Sequence, residues 1–438
     1  MNRIDLYRMR GPGTAAGRDL PVEGKAAGRR HALAGQIHEA VERLREAIGG
    51  EVLFRGSASI LRVYEEIPYE VSTGESANTH LLHVLCPEIM PSTALKDMLF
   101  FDVETTGLSG GAGTVVFLIG FLNVGENSLK LTQYFLNSLS SEAFFLEHVE
   151  RMFGRHSCFV SYNGKSFDFN IIKNRFVMQG MPFDGEDVRH LDLLHTSRRL
   201  WRGMLPDYRL GTVEERILGM KRTGDIPGWR VPEVYSDYLR GRNVFDDMKA
   251  VFFHNRKDVL SLFAILDVQL RIMAEAGKGR SVHEPPGKVR YNPVSVSGLF
   301  AARRYTRKAV EILSAHREDV AALRSLALFY KRDGRFPESI ECFERLCEKR
   351  GRLSEYIFAC TEIAKIYEHR LKDLDRAVLF TERMRTRLRR ALYFHPRERA
   401  YLEHELEKVD SRYTRLRRKI DTLEKKTETT GKRRGLKI

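Results

Sequence analysis

At 438 residues the chain can hold two or three domains, each with a full core. No apolar run reaches the roughly 18 residues of a membrane span, and the first 30 residues lack a signal-peptide core. The five cysteines, Cys86, Cys158, Cys342, Cys347 and Cys360, form no Cys-x-x-Cys pair; Cys158 and Cys360 lie in apolar segments and read as buried thiols. These features exclude a membrane span and point to a reduced, cytoplasmic setting. The net charge of +15 is uneven: residues 301–438 hold 36 Lys and Arg against 22 Asp and Glu, the first 300 residues 37 against 36. The C-terminal third is therefore the part able to attract a polyanion through counterion release.

In chain order, residues 1–30 are rich in Gly, Arg and Ala without apolar periodicity, and are expected to be disordered. Residues 31–95 carry a helix candidate, Ala32 to Ile48, and strand-like pieces at Val52–Phe54 and Ile60–Tyr64. They are expected to pack on the sheet that follows, as an extension. Met98, Leu99, Phe100, Phe101 and Val103 form an apolar run with Asp102 and Glu104 at its end. In a strand, residues two apart share a face, so both carboxylates project together. Two adjacent buried like charges need something positive between them, and a divalent cation is the usual answer. Alone, an Asp-x-Glu pair is more often a solvated strand end. Thr105, Thr106 and Gly107 end the strand, and Thr114 to Leu122 read as the return strand of a hairpin.

A second acidic segment runs Tyr162-Asn163-Gly164-Lys165-Ser166-Phe167-Asp168 after a short strand, Cys158 to Ser161. Asn-Gly signals a turn. A helix is expected from near Ser166–Phe167, with Phe167, Ile171, Ile172 and Phe176 inward. Asp168 then lies in its first turn. It either stabilises that helix end or serves as a third site carboxylate, with Asn163 and Lys165 near a phosphate path. Asp192 ends another short apolar piece. It either joins the acids or caps the next helix, whose Leu194, Leu200 and Trp201 point inward. Arg198, Arg199, Arg202 and Arg209 form a local basic cluster, and Lys221 to Asn243 reads as an insertion at the rim of a site. In the third segment, His254-Asn255-Arg256-Lys257-Asp258, His254 and Asp258 share a helical face beside the stripe Val259, Leu262, Phe263 and Leu266.

Asp102-x-Glu104-Thr-Thr-Gly-Leu, Asn163-Gly164-x-x-Phe167-Asp168 and the Asp258 segment, in this order, resemble the three motifs of the DEDD-type 3′–5′ exonucleases. These are DnaQ-like members of the ribonuclease H superfamily. His190-Leu-Asp192-Leu-Leu-His-Thr-Ser-Arg-Arg and Leu210-Gly-Thr-Val-Glu-Glu-Arg-Ile-Leu-Gly219 are similar to the YprB-like branch. The resemblance covers roughly residues 95–270. It implies an α/β fold, a ribonuclease H-like mixed sheet flanked by helices. It also implies a site in which Asp102, Glu104, Asp168 and Asp258 hold two magnesium or manganese ions, with Thr106 and Leu108 against the terminal nucleotide. The implied activity is release of nucleoside 5′-monophosphates from a DNA or RNA 3′ end. One departure stands out: His254 occupies the position four before the last Asp, where the family usually has Tyr. It could orient or deprotonate the attacking water, or signal an altered activity.

Residues 275–295, with Gly277, Gly279, Pro285, Pro286, Gly287 and Pro293, read as a linker. Beyond it the chain looks all-helical. Ala322, Ala327, Tyr330 and Phe343 recur 37 residues later as Ala359, Ala364, Tyr367 and Phe380, which suggests tetratricopeptide-like helix pairs or a plain bundle. Gly334 fits the repeat, whereas its counterpart at 371 is Leu. A last basic run, Arg412, Arg415, Arg417, Arg418 and Lys419, leads into a solvated tail from Lys425. The expected organisation is 1–30 disordered, 31–95 extension, 96–274 ribonuclease H-like domain, 275–295 linker, 296–424 helical domain and 425–438 basic tail. Two functions remain open at this stage. One is a metal-dependent nuclease with a helical module for nucleic acid or a protein partner. The other is a nucleic-acid-binding scaffold whose nuclease domain is degenerate.

Overall fold

The computed structural model describes residues 39–69, 80–107, 113–183, 185, 188–278, 291–349 and 353–434. The expectations placed on residues 1–30, on Leu108, on the middle of the linker and on the side chains of the tail after 425 lie outside them. The chain forms one seven-stranded mixed sheet with helices on both faces, followed by a helical region.

The sheet is built from β1 (Glu51–Arg55), β2 (Ala58–Pro68), β3 (Met98–Thr105), β4 (Val116–Val124), β5 (Ser128–Phe135), β6 (Cys158–Ser161) and β7 (Arg189–Asp192), in the order β1-β2-β5-β4-β3-β6-β7. β3, β4 and β5 form an antiparallel meander, and β6 and β7 add in parallel beside β3. β2 pairs onto β5 and β1 onto β2, so the segment before residue 95 joins the sheet at one edge rather than packing on it. The carboxyl ends of the parallel strands β3, β6 and β7 lie side by side, and such ends are where open α/β sheets place ligands.

Alternation along β3 sorts its side chains between two cores. Met98 and Phe100 join one, Leu99 and Phe101 the other. The first core is covered by α2 (His80–Leu85), α5 (Leu193–Leu200) and most of α8 (Phe245–Gly277); the second by α1 (39–48), α3 (Glu142–Phe153), α4 (Asp168–Met178) and α7 (Val231–Leu239). A short helix, α6 (Leu210–Val213), precedes a π-helical turn, Glu214–Leu218. The segment expected as a rim insertion thus also supplies core, through Val231, Val234, Tyr235 and Tyr238. Phe167, expected inward, is 53% exposed because α4 starts one residue later and leaves the ring outside its first turn.

The 33-residue α8 serves both cores. Met248, Val251 and Phe252 belong to the second, and Val259 through Met273 contribute to the first. The changeover falls at Asn255, which is fully buried. Its Oδ1 accepts from Gln133 Nε2 of β5 at 2.9 Å, and that same nitrogen donates to the carbonyl of Phe252. Gly120 of β4, paired with Asp102 on β3, lets the helix come this close. A Cβ there would stand 2.3 Å from Asn255 Oδ1 and 2.8 Å from Val259 Cγ2.

In the helical region α9 (Pro293–Ala302) and α10 (Thr306–Ala315) pack on the first core through Val296, Phe300, Ala309 and Ile312. Two antiparallel pairs follow, α11 (Val320–Arg332) with α12 (Phe336–Glu348), then α13 (Leu353–Ile366) with α14 (Leu374–Phe394), before the long α15 (Arg399–Arg434). All eight residues of the 37-residue repeat are buried in one cluster, in matching positions of the two pairs. Gly334 turns the first pair at φ +77°. In the second, Leu371 closes a π-helical turn, Tyr367–Leu371, and Lys372 takes the left-handed position one residue later. The terminal basic run is not all solvated face: Arg415 and Lys419 both pair with the buried Glu368, and the Arg415 guanidinium holds that carboxyl down at about 2.

Gly120→Ala should lower stability by about 1–3 kcal/mol, the usual toll of overpacking, without changing the fold. Equilibrium denaturation measures this; an unchanged midpoint would mean that α8 can retreat from the sheet.

Candidate functional site

β3 ends in a register shift between Glu104 and Thr105, a bulge that turns the strand end where the acids project. Asp102 and Glu104 face the side lined by Met98 and Phe100. Thr106 extends the pairing past the bulge: its N–H donates to the Val115 carbonyl at 3.0 Å and its hydroxyl accepts from the Val115 N–H at 2.9 Å.

Asp168 arrives from the turn after β6. Asn163 sits at φ +64°, a left-handed conformation that Asn tolerates better than most residues. Gly164 follows. A Cβ on it would meet Ser161 Oγ at 2.5 Å and Asp168 Oδ2 at 2.8 Å, so the missing side chain makes room for the carboxylate. Asp192 locks this turn. Its carboxylate accepts from the backbone N–H groups of Asn163 (2.8 Å), Lys165 (3.3 Å) and Leu194 (3.0 Å), which caps α5 and clamps the turn together. Asp192 is therefore the cap, with Leu194, Leu200 and Trp201 inward as expected. The Lys165 ammonium reaches away to Glu88, 2.6 Å, in an exposed pair.

Asp258 and His254 come from α8. Asn255 Nδ2 donates to both the carbonyl oxygen and Oδ2 of Asp102, each at 3.1 Å, and ties the third segment to the first. His254 Nδ1 lies 2.9 Å from Asp225 Oδ1, and Nε2 lies 3.6 Å from Asp258 Oδ2. Arg222 completes the cluster. It forks onto Glu214 at 2.6 and 2.9 Å, reaches Asp225 at 3.1 Å and donates to Asp258. Glu214, in the π-helical turn, also accepts from Ser261 Oγ. The structure thus brings Asp102, Glu104, Asp168, His254 and Asp258 to one place. Asn163 and Lys165 spend their backbone N–H groups on Asp192.

Sequence reasoning missed Arg222, Asp225, Glu214 and Asn255 as parts of the site. Asn255 lay inside a segment already singled out. No spacing rule connects 214, 222 and 225 to 258, and Arg222 and Asp225 lay in a stretch read only as rim.

The closeness of the acids shows in their electrostatics. Burial, then the charges of Asp258, Glu104 and Asp168, hold Asp102 well above the usual carboxylate range. Burial pushes Glu104 up to about 8 against the pull of His254, and it pushes Asp168 up to about 7 with help from Asp192. Burial also lifts Asp258 to about 6, opposed by His254 and Arg222. His254 is raised to about 9: the bond to Asp225 and the charges of Asp258 and Glu104 outweigh burial. An all-oxygen donor set under mutual repulsion suits a hard divalent cation. As the side chains stand, no group of three or more such ligands among the described residues closes into a cage, and Arg222 supplies positive charge at Asp258. The donor chemistry of these residues suits such an ion, while Arg222 holds Asp258.

These shifts fix a sign. Carboxylates whose pKa is raised on folding bind extra protons in the folded state, so stability falls as pH climbs past their ordinary values toward the raised ones. A protonated His254 stabilises below its ordinary pKa and loses that contribution as pH passes about 9. Both act in one direction. In chelator, the unfolding midpoint should fall between about pH 5 and about pH 9, and magnesium or manganese should flatten the fall. A midpoint that rises with pH in chelator would show that the acids stand apart in solution.

Comparison with known proteins agrees with this architecture. Residues 99–269 match a family described as the RNase_H superfamily. Over 341 residues the chain is 32% identical to "Uncharacterized protein YprB" of Bacillus subtilis (strain 168), an alignment spanning 75% of this chain and 76% of that protein. Residues 99–269 form a ribonuclease H superfamily domain, and the chain belongs to the family that includes this Bacillus protein.

Proposed function

We propose that the chain is a divalent-metal-dependent nuclease that shortens nucleic acid from a 3′ end and releases nucleoside 5′-monophosphates. The observation that carries this reading is the convergence of carboxylates from β3, α4 and α8 in one buried place, where Asp168 and Asp258 raise the proton affinity of Asp102 and Glu104. Asp102, Glu104, Asp168 and Asp258 would hold two magnesium or manganese ions. Such ions supply charge neutralisation at the scissile phosphate and an acidified water.

The chain's own residues hold the arrangement. Asn255 fixes Asp102, and the Gly164 turn under Asp192 fixes Asp168. Asp225 holds His254 through Nδ1 and leaves Nε2 facing the acids. Once Asp258 and Glu104 are neutralised, two of the charges that raise His254 are gone. Its pKa then returns toward the range of a base able to accept the water's proton at Nε2. Thr106, at the bulge, and Leu108 are the candidates for contact with the terminal nucleotide. The Lys165–Glu88 pair is exposed and weak, so the ammonium can leave it for a phosphate.

Arg222 on Asp258 favours a second reading, in which an arginine permanently takes the place of an ion and the domain binds nucleic acid without cutting it. Strands of DNA and RNA labelled at either end, incubated with magnesium or manganese, decide between the two. The first reading expects stepwise loss from the 3′ end. Asp102→Asn or Asp258→Asn should reduce it by about 1000-fold or more, since several kcal/mol of charge stabilisation are at stake. His254→Gln should cost about 100- to 10,000-fold and change the pH profile. Binding without cleavage under any metal would establish the second.

A further inference from the structure

One face of α14 has a composition that the acid site does not explain. Leu379, Arg383, Thr386, Arg387 and Arg390 succeed one another at helical spacing and, with Tyr356 and Glu382, line a groove of ≈ 620 Å³ between α13 and α14. Five arginines fall between residues 383 and 390, and the stretch contains no acid. Among the described residues only Arg385 of the five has carboxylate partners, Asp410 and Glu382. Other basic side chains of the helical region do pair with acids, as in Arg399–Glu403, Lys408–Glu405 and Arg307–Glu311.

Three of the four unmatched arginines stand over aromatic rings. Arg387 lies 4.2 Å from the centroid of Tyr356, Arg383 4.9 Å from Phe380 and Arg390 5.9 Å from Phe394. Beyond them Tyr393 is 83% exposed and Phe394 60%, large apolar faces left in water at the end of the stripe. Guanidinium groups bind phosphates, and exposed aromatic faces bind unstacked bases. A duplex offers only the phosphates, since its bases are already stacked; a single strand offers both.

We propose that the face of α14 carrying Arg383, Arg387 and Arg390, with Tyr356, Tyr393 and Phe394, is a binding site for single-stranded nucleic acid. It rests on the nuclease reading for its choice of polyanion and extends it, giving a substrate strand a second attachment outside the acid site. From residue 383 to 394 the stripe runs about 16 Å, long enough for more than one phosphate. The arginines provide the salt-dependent part of the affinity, and the rings provide the preference for unpaired bases.

The test is equilibrium binding of fluorescein-labelled single strands and a duplex, each of about 20 nucleotides, to the full-length Asp102→Asn chain in chelator, where no cleavage occurs. Adding Arg383→Ala, Arg387→Ala and Arg390→Ala should weaken single-strand binding at least about tenfold. It should also lower the slope of log affinity against log salt by about 2, since each phosphate that is no longer neutralised takes about 0.7 from it. Adding Tyr393→Ala and Phe394→Ala instead should weaken single-strand binding, spare the duplex and leave the slope alone. With circular dichroism confirming the fold, unchanged affinity and slope in the arginine variant overturn the proposal and give the face to a protein partner. Equal losses for strand and duplex in the aromatic variant also overturn it. Cleavage by the unmutated chain is scored separately, so either reading can fail while the other stands.

Discussion

The burial of several carboxylates close together is the constraint around which this site is organised. Asp102, Glu104, Asp168 and Asp258 are all shifted upward, and burial is the first cause for each. Left alone, such a cluster opposes folding, because each charge loses its water and gains a like neighbour. The surrounding residues each meet part of that cost. Asn255 gives Asp102 an N–H, while His254 and Arg222 give Asp258 positive charge, and Asp225 and Glu214 in turn balance those cations.

The fold holds this arrangement by close approach. Gly120 on β4 and Gly164 after β6 each occupy a spot where a Cβ would strike a residue of the site, Asn255 in one case and Asp168 in the other. Gln133 anchors Asn255 from β5, and Asp192 anchors the 163–165 turn from the end of β7. Four strands of one sheet thus contribute to placing two carboxylates that they do not carry. This is why α8 can leave one core and enter the other at the level of the acids: the single buried amide of Asn255 makes the crossing, hydrogen-bonded on both of its sides.

What the sequence made legible follows from local periodicity. The two-residue alternation of β3 put Asp102 and Glu104 on one face, and the four-residue spacing on α8 did the same for His254 and Asp258. The Asn-Gly turn placed Asp168 in a first helical turn, and the buried alanines and aromatics of the 37-residue repeat fell in matching helices. Reading failed where the cause was long-range or off by one residue. Phe167 sits just before α4 rather than on it, and a π-helical turn displaces the left-handed residue from 371 to 372. Arg222, Asp225 and Glu214 meet Asp258 only because the loop after the π-helical turn folds back on α8. No residue-type pattern encodes that return.

Arg222 also bears on whether the acids are a working site or a remnant. A buried ion network is a poor source of stability, and replacing one acid by its amide would relieve the repulsion more simply than an arginine does. All four carboxylates are nonetheless present, and Arg222 is not committed to Asp258 alone. Glu214 holds two of its nitrogens and Asp225 a contact of its own, so the guanidinium keeps its seat when Asp258 turns away. Arg222 is therefore held by Glu214 and Asp225 independently of its bond to Asp258. On the nuclease reading proposed above, an arginine anchored in this way would stay in place beside a bound ion, where the phosphate of a bound strand would give it a new partner.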